Sequence, residues 1–260
     1  MDRSFLSSAE VIAASREFVC IRLLSYENKE EMEYIKAFNI TRSGEAENTL
    51  VCVMSPDAKK RLTRAGRSTR MLFADAQDMA DSMDRIASDV RKSSVTPMFP
   101  VNALPIVQGV RLAVNVASSD NQPLVIAYYP DPQDLARNRE LLTKAAWSGR
   151  FVGRFIFAAT ADVKELSTID GAGKKAGILV VQPDKFGTKG TVLARIEGDC
   201  DQDQLDTTLR KAIVYHQIAN KAFMNHVREG HQLGVFWETP LPVTDYQEAQ
   251  ARERGRSMRR

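Results

Sequence analysis

Cysteine is nearly missing from this chain. Its three thiols, Cys20, Cys52 and Cys200, are odd in number, far apart and never in a CxxC spacing. Neither a disulfide framework nor a zinc site is suggested. Cys20 and Cys52 fall inside apolar runs, where a cysteine acts as a small hydrophobe. No apolar run approaches the roughly 20 residues that span a bilayer, and the N-terminus MDRSFLSSAEVIAASREFV carries charges where a signal's apolar region would sit. The expectation is a cytoplasmic protein with no membrane partner as written, or a periplasmic or exported one if an N-terminal segment is missing. Glycine (14) and proline (10) are too scarce for a low-complexity chain. Charge of one sign is also lacking: the net charge is +3, and the tail from Arg252 to Arg260 holds five Arg against Glu253, so +3 less +4 leaves −1 for the rest.

What is present is ordinary for a folded protein. Apolar residues make up 43% and charged ones 27% of 260 residues, a length that suits two domains. In the first half, FVCIRLLSY (18–26) predicts a strand, and Met32, Ile35 and Phe38 mark a helix after it. NTLVCVMSP (48–56), the turn at Pro56-Asp57 and KKRLTRAGR predict a hairpin. Met79, Met83, Ile86 and Val90, spaced 4, 3 and 4, mark the next helix.

Residues 93–104 carry no charge and, counting Pro105 directly after them, three prolines, and predict a linker. Beyond it come a short helix, the strand PLVIAYYPD (123–131), and a helix capped by Asp131 with Pro132 at its first position. FVGRFIFAATAD, VKELSTI, AGILVVQPD, GTVLARIEG and one long helix from Asp203 complete the second half. Residues 105–233 thus form a second domain, and 234–260 a strap and basic tail.

The halves repeat one another. SAEVIAASREFV (8–19) matches NRELLTKAAWSGRFV (138–152), and the Pro56-Asp57 turn matches Pro183-Asp184. Nothing in residues 1–92 corresponds to PLVIAYYPD.

This β-α-β then β-β-α layout resembles the thioredoxin superfamily. Residues 1–92, through MDRSFLSSAEVIAASREFVCIRL, are similar to the branch related to periplasmic thiol:disulfide interchange proteins; residues 105–215 are similar more weakly. The resemblance implies an α/β fold class with two tandem thioredoxin-like domains and mixed sheets, the first lacking its N-terminal strand. Thioredoxin chemistry needs a thiolate at a helix N-terminus and a resolving thiol one turn on. Tyr129, Pro130, Asp131 and Pro132 stand where those sulfurs would be. The family's groove-lining cis-proline would fall at Asn48 or Thr49, and at Ala176, none of them proline. Two readings stay open. One is a redox-inactive protein-binding or scaffold protein in thiol homeostasis, with a protein or peptide partner or a second copy. The other is the C-terminal part of an oxidoreductase whose CxxC, or selenocysteine variant, lies upstream of Met1. Neither calls for a cofactor.

Other patterns carry less. His216 and His226, ten residues apart on the expected last helix, lie about 15 Å apart along it and cannot share a metal. His226, Glu229 and His231 have the ligand chemistry for a divalent ion, against the plainer reading of partly buried or capping histidines. KKRLTRAGRSTR (59–70) has six positive charges and no interleaved aromatic, so nucleic acid is not expected, and a solvated hairpin facing the helix with Asp75, Asp78, Asp81 and Asp84 is. Phe236, Trp237 and Tyr246 fit a covering strap. GAGKK (171–175) is a turn, too short for a P-loop. Cys200, ringed by Glu197, Asp199, Asp201 and Asp203, is expected to be unreactive.

Overall fold

A computed structural model describes residues 5–37, 50–93, 103–236 and 240–241, the side chain of Phe223 excepted. The chain divides into two compact units, Met1–Pro100 with Phe236–Arg260, and Val101–Val235. Asn48, Thr49, Trp237, Tyr246, most of the 93–104 linker and most of the 234–260 strap and tail lie outside the described residues.

The second unit is an α/β domain built on the strand Leu124–Tyr128 (β1). Its sequence, LVIAY, is apolar at every position, so it needs cover on both faces, and all five residues are buried. The helices Val110–Asp120 (α4) and Pro132–Ala146 (α5) flank it in the chain. The strands Ile156–Thr160 (β2), Ile169–Asp170 (β3), Gly177–Pro183 (β4) and Gly190–Glu197 (β5) follow. The sheet order is β2-β1-β4-β5-β3, with β1 parallel to β2 and antiparallel to β4. The mixed sheet agrees with the expected α/β class; the two-residue β3 was not expected.

Strand alternation sends β1 side chains into two cores. Leu124, Ile126 and Tyr128 pack with Val110, Ala113, Val114 and Ala117 of α4. Val125, Ala127 and Tyr129 pack with Leu142 and Ala145 of α5 and with Leu205, Leu209 and Ala212 of the helix Gln202–Tyr215 (α6). Asp201 caps α6 in a reciprocal capping box with Gln204. Gly177 begins β4 because a Cβ there would lie 2.1 Å from the Ile196 carbonyl oxygen.

The long last helix does not run through. It stops at His216, whose ψ of 128° is extended, and restarts as Phe223–Gln232 (α7). A side chain from β4 competes with the helix: Gln182 accepts from the Gln217 N–H at 2.9 Å and donates to the Gln217 carbonyl at 3.1 Å. Those main-chain groups are thereby satisfied outside the helix. VKELST is a 3₁₀ turn, held by the Asp162 carboxylate at the Lys164 N–H.

The first unit has the helices Ala9–Ser15 (α1), Lys29–Lys36 (α2) and Ala76–Arg91 (α3). Phe5, Val11 and Ala14 pack with Phe73, Met79, Ala80 and Met83. No strand is assigned at the expected 18–26: residues 19–24 have no regular structure, and at its end the Tyr26 carbonyl accepts from the Leu241 N–H at 3.1 Å. The expected hairpin is present only as two antiparallel bridges, Val51 with Gly66 and Met54 with Arg61. Its basic arm and α3 line one groove, Leu62 and Arg64 from the arm and Asp78, Arg85 and Asp89 from the helix. No helix among the described residues is long and apolar enough to cross a membrane.

Replacing Gln182 with Ala is expected to cost about 1 kcal/mol, since it removes its hydrogen bonds to the exposed Gln217 main chain, which water then meets; Leu209→Ala is expected to cost about 2 to 5 kcal/mol by opening a cavity. Urea unfolding monitored by circular dichroism measures both.

Candidate functional site

The C-terminal end of β1 carries the residues singled out from the sequence. Tyr129 continues the strand, its N–H donating to the Thr160 carbonyl at 3.2 Å, and its ring is buried in the α5/α6 core. Its hydroxyl donates to the Gly198 carbonyl at 2.8 Å. The Gly198 N–H in turn donates to the Ala176 carbonyl at 3.0 Å, and Tyr128 lies opposite Gly177 in the sheet register. Tyr129 and Ala176, 47 positions apart in sequence, are therefore brought to one end of the sheet through Gly198.

Pro130, Asp131 and Pro132 are exposed there. The Asp131 carboxylate accepts from the N–H groups of Gln133 at 2.8 Å and Asp134 at 3.1 Å. This is the capping expected from Asp-Pro, and it occupies donors that an anion at this helix start would use. Arg137 bridges Asp134, at 3.0 Å, and Asp199, tying the first turns of α5 to the loop before α6. Arg137 and Gly198 are not marked by any sequence pattern, because Arg137 meets Asp199 62 positions on and the Gly198 carbonyl meets Tyr129 69 positions back, and no local pattern encodes contacts of that range.

Cys200 lies behind this junction, half-buried against the α5/α6 core. Burial pushes its thiol up, and the carboxylates of Asp201 and Asp199 push it further. The expected acidic suppression is thus present but is the smaller cause. Burial likewise raises the Tyr129 phenol well above its usual range, with Cys200 and Asp199 adding to it. Both groups stay protonated at neutral pH, so the junction holds neither a thiolate nor a phenolate. It offers shape, two exposed prolines and a capped carboxylate.

The three weak metal candidates take separate partners. The His226 ring stacks on Phe186, centroids 4.9 Å apart, and Glu229 pairs with Lys185. His231 is exposed. Among the described residues no group of three or more His, Cys, Asp or Glu is gathered as a metal ion would need. Instead these residues fasten α7 to the β4–β5 turn, where Gly230 is buried against Phe186. Lys221 adds a second fastening, 3.0 Å from the Ser118 hydroxyl at the end of α4. His216 is off the helix and contacts the Asn121 carbonyl at 3.0 Å through Nε2.

Among known proteins, no family model matches the chain and no curated protein matches its sequence.

Two results follow for titration. Burial pushes up the thiols of both Cys20 and Cys200, and Asp201 and Asp199 push up the latter further; with Cys20 also the exposed one, iodoacetamide near neutral pH is expected to alkylate it ahead of Cys200, and mass spectrometry of digested protein reads the order. Burial, then Lys221 and Lys185, lower the His226 pKa from 6.5, against a smaller opposing pull from Glu229. The docked α7 therefore favours neutral His226, a contribution that is complete above pH 6.5 and lost as pH falls through the lowered folded value. Acidification is expected to loosen α7, read as faster amide exchange over 223–232, and His226→Phe to abolish that dependence.

Proposed function

We propose that the second unit is a thioredoxin-like domain that works without thiol chemistry, and that the protein binds an extended segment of a partner protein in a scaffold role in thiol homeostasis. The fold part of this reading draws support from the layout β1-α5-β2 followed by β4-β5-α6, with β1 between a parallel and an antiparallel neighbour. One observation carries the functional part. The junction of Tyr129, Pro130, Asp131 and Pro132 reaches Ala176 through the shared contact with Gly198, yet contains no sulfur, and the Cys200 thiol behind it is held protonated. An extended chain laid beside the exposed Pro130–Pro132 surface meets no nucleophile, so it is held and not transformed.

The test has two arms. In dithiothreitol-coupled insulin reduction, the protein is expected to match buffer, and any catalysis above buffer contradicts the reading. A reduced, carboxymethylated unfolded polypeptide is expected to bind with micromolar affinity by calorimetry. Pro130→Lys is expected to weaken that binding about tenfold, or roughly 1.4 kcal/mol, without moving the urea midpoint.

A further inference from the structure

The two outer strands of the sheet are covered to different extents. At β2, Ile106 bridges Phe157 and the Val107 N–H donates to the Phe157 carbonyl at 2.9 Å. At β5 the outer neighbour is the two-residue β3, which pairs with Gly190 and Thr191. Past Thr191, β5 has no strand on its outer side among the described residues. Burial follows the pairing: β4 is buried over most of its length, whereas residues 192–196 are half-buried and Glu197 is exposed.

The ladder fixes where the main-chain groups of this edge point. In an antiparallel pair, hydrogen-bonded positions alternate with unbonded ones. The Gly198 N–H donates to the Ala176 carbonyl at 3.0 Å, so the next bonded pairs are Ile196 with Ile178 and Ala194 with Val180. Arg195 and Glu197 therefore turn their N–H and C=O groups outward. Side chains alternate as well. Ala194 and Ile196 pack toward the α5/α6 core, while Arg195 donates to the Gly171 carbonyl at 3.4 Å and Glu197 pairs with Lys175 at 2.9 Å, both in the loop 171–175. Alongside the edge runs a groove of about 560 Å³, lined by residues 195–197 and, from α6, by Asp203, Gln204, Thr207 and Thr208.

We infer that β5 takes up, along its outer edge at residues 195–197, an extended segment of a separate polypeptide whose side chains are basic on one face and acidic on the other. The outward main-chain groups of Arg195 and Glu197 supply the pairing, and the walls supply the selection. On one face the added strand meets α6, where Asp203 stands among the polar side chains of Gln204, Thr207 and Thr208 and favours a cation. On the other it meets the three cations Arg195, Lys174 and Lys175 against the single carboxylate of Glu197, which favours an anion. Opposite charges facing one another across strands stabilise a pairing, and like charges oppose it. An uncharged apolar segment has no such match, and a segment of one sign matches one wall only. The site stands apart from the surface at Pro130 and Pro132 and does not rest on the thioredoxin-like reading.

A synthetic peptide with the core Lys-Glu-Lys-Glu-Lys, titrated into the full-length chain and followed by amide-resolved hydrogen exchange, tests this. Expected is saturable capture below about 1 mM. Exchange of the Arg195 and Glu197 amides should slow about tenfold or more, and that of Ala194 and Ile196, already bonded to β4, should not change. The composition-matched core Lys-Lys-Lys-Glu-Glu should bind about tenfold more weakly. Glu197→Pro removes an N–H that the sheet itself does not use, and Asp203→Lys reverses the α6 wall; each should weaken capture about tenfold, the second without moving the urea midpoint. Equal capture of the two peptides, or capture with no slowing at Arg195 and Glu197, overturns strand addition. Slow exchange of those two amides in the free chain overturns the separate-polypeptide occupant, in favour of the chain's own residues if it holds at every protein concentration and of a second copy if it appears only at high concentration. Pro130→Lys should leave capture unchanged, and its loss would overturn the separation of this edge from the Pro130 surface, on which alone the insulin and unfolded-polypeptide results bear.

Discussion

The architecture of the second unit depends on one strand that cannot face water on either side. β1 has Leu124, Ile126 and Tyr128 on one face and Val125, Ala127 and Tyr129 on the other, all of them buried. Each face at roughly 25 cal/mol per Å² of apolar area strongly favours a covering layer, which α4 provides on one side and α5 with α6 on the other. Its edges are equally constrained, since unpaired N–H and C=O groups inside those layers would go unsatisfied. β2 and β4 pair with it at all five positions. The remaining elements are arranged around these pairings.

The candidate site is a by-product of how that strand ends. Pro130 terminates the ladder, Asp131 caps the next helix, and Tyr129 anchors the exit by its hydroxyl on Gly198. The same anchoring buries the only nearby thiol and keeps it protonated, because a buried sulfur among carboxylates has no stabilised anionic form. Position and rigidity are therefore supplied at this end of the sheet, and reactivity is not.

Features whose cause is local were legible in the sequence. LVIAY announced a buried strand, Asp131-Pro132 a capped helix start, and the two Pro-Asp turns a repeated hairpin; each rests on residues within a few positions of one another. Features with distant causes were not. The last helix kept its apolar spacing past His216, yet Gln182, 35 positions away, takes the Gln217 main chain out of it. FVCIRLLSY has a strand's composition, but composition alone does not make a ladder, and 19–24 are assigned no strand. His226 and Glu229 matched a ligand pattern and instead meet Phe186 and Lys185 on a turn about 40 positions back.

A doubly covered central strand organises the second unit. Native-state amide exchange on the unliganded full-length chain tests this most directly. Leu124–Tyr128 and Ile178–Val181 are expected to exchange only through global unfolding, while α7, which lies outside the sheet, exchanges through local opening. Exchange of Leu124–Tyr128 as fast as that of α7 would overturn this.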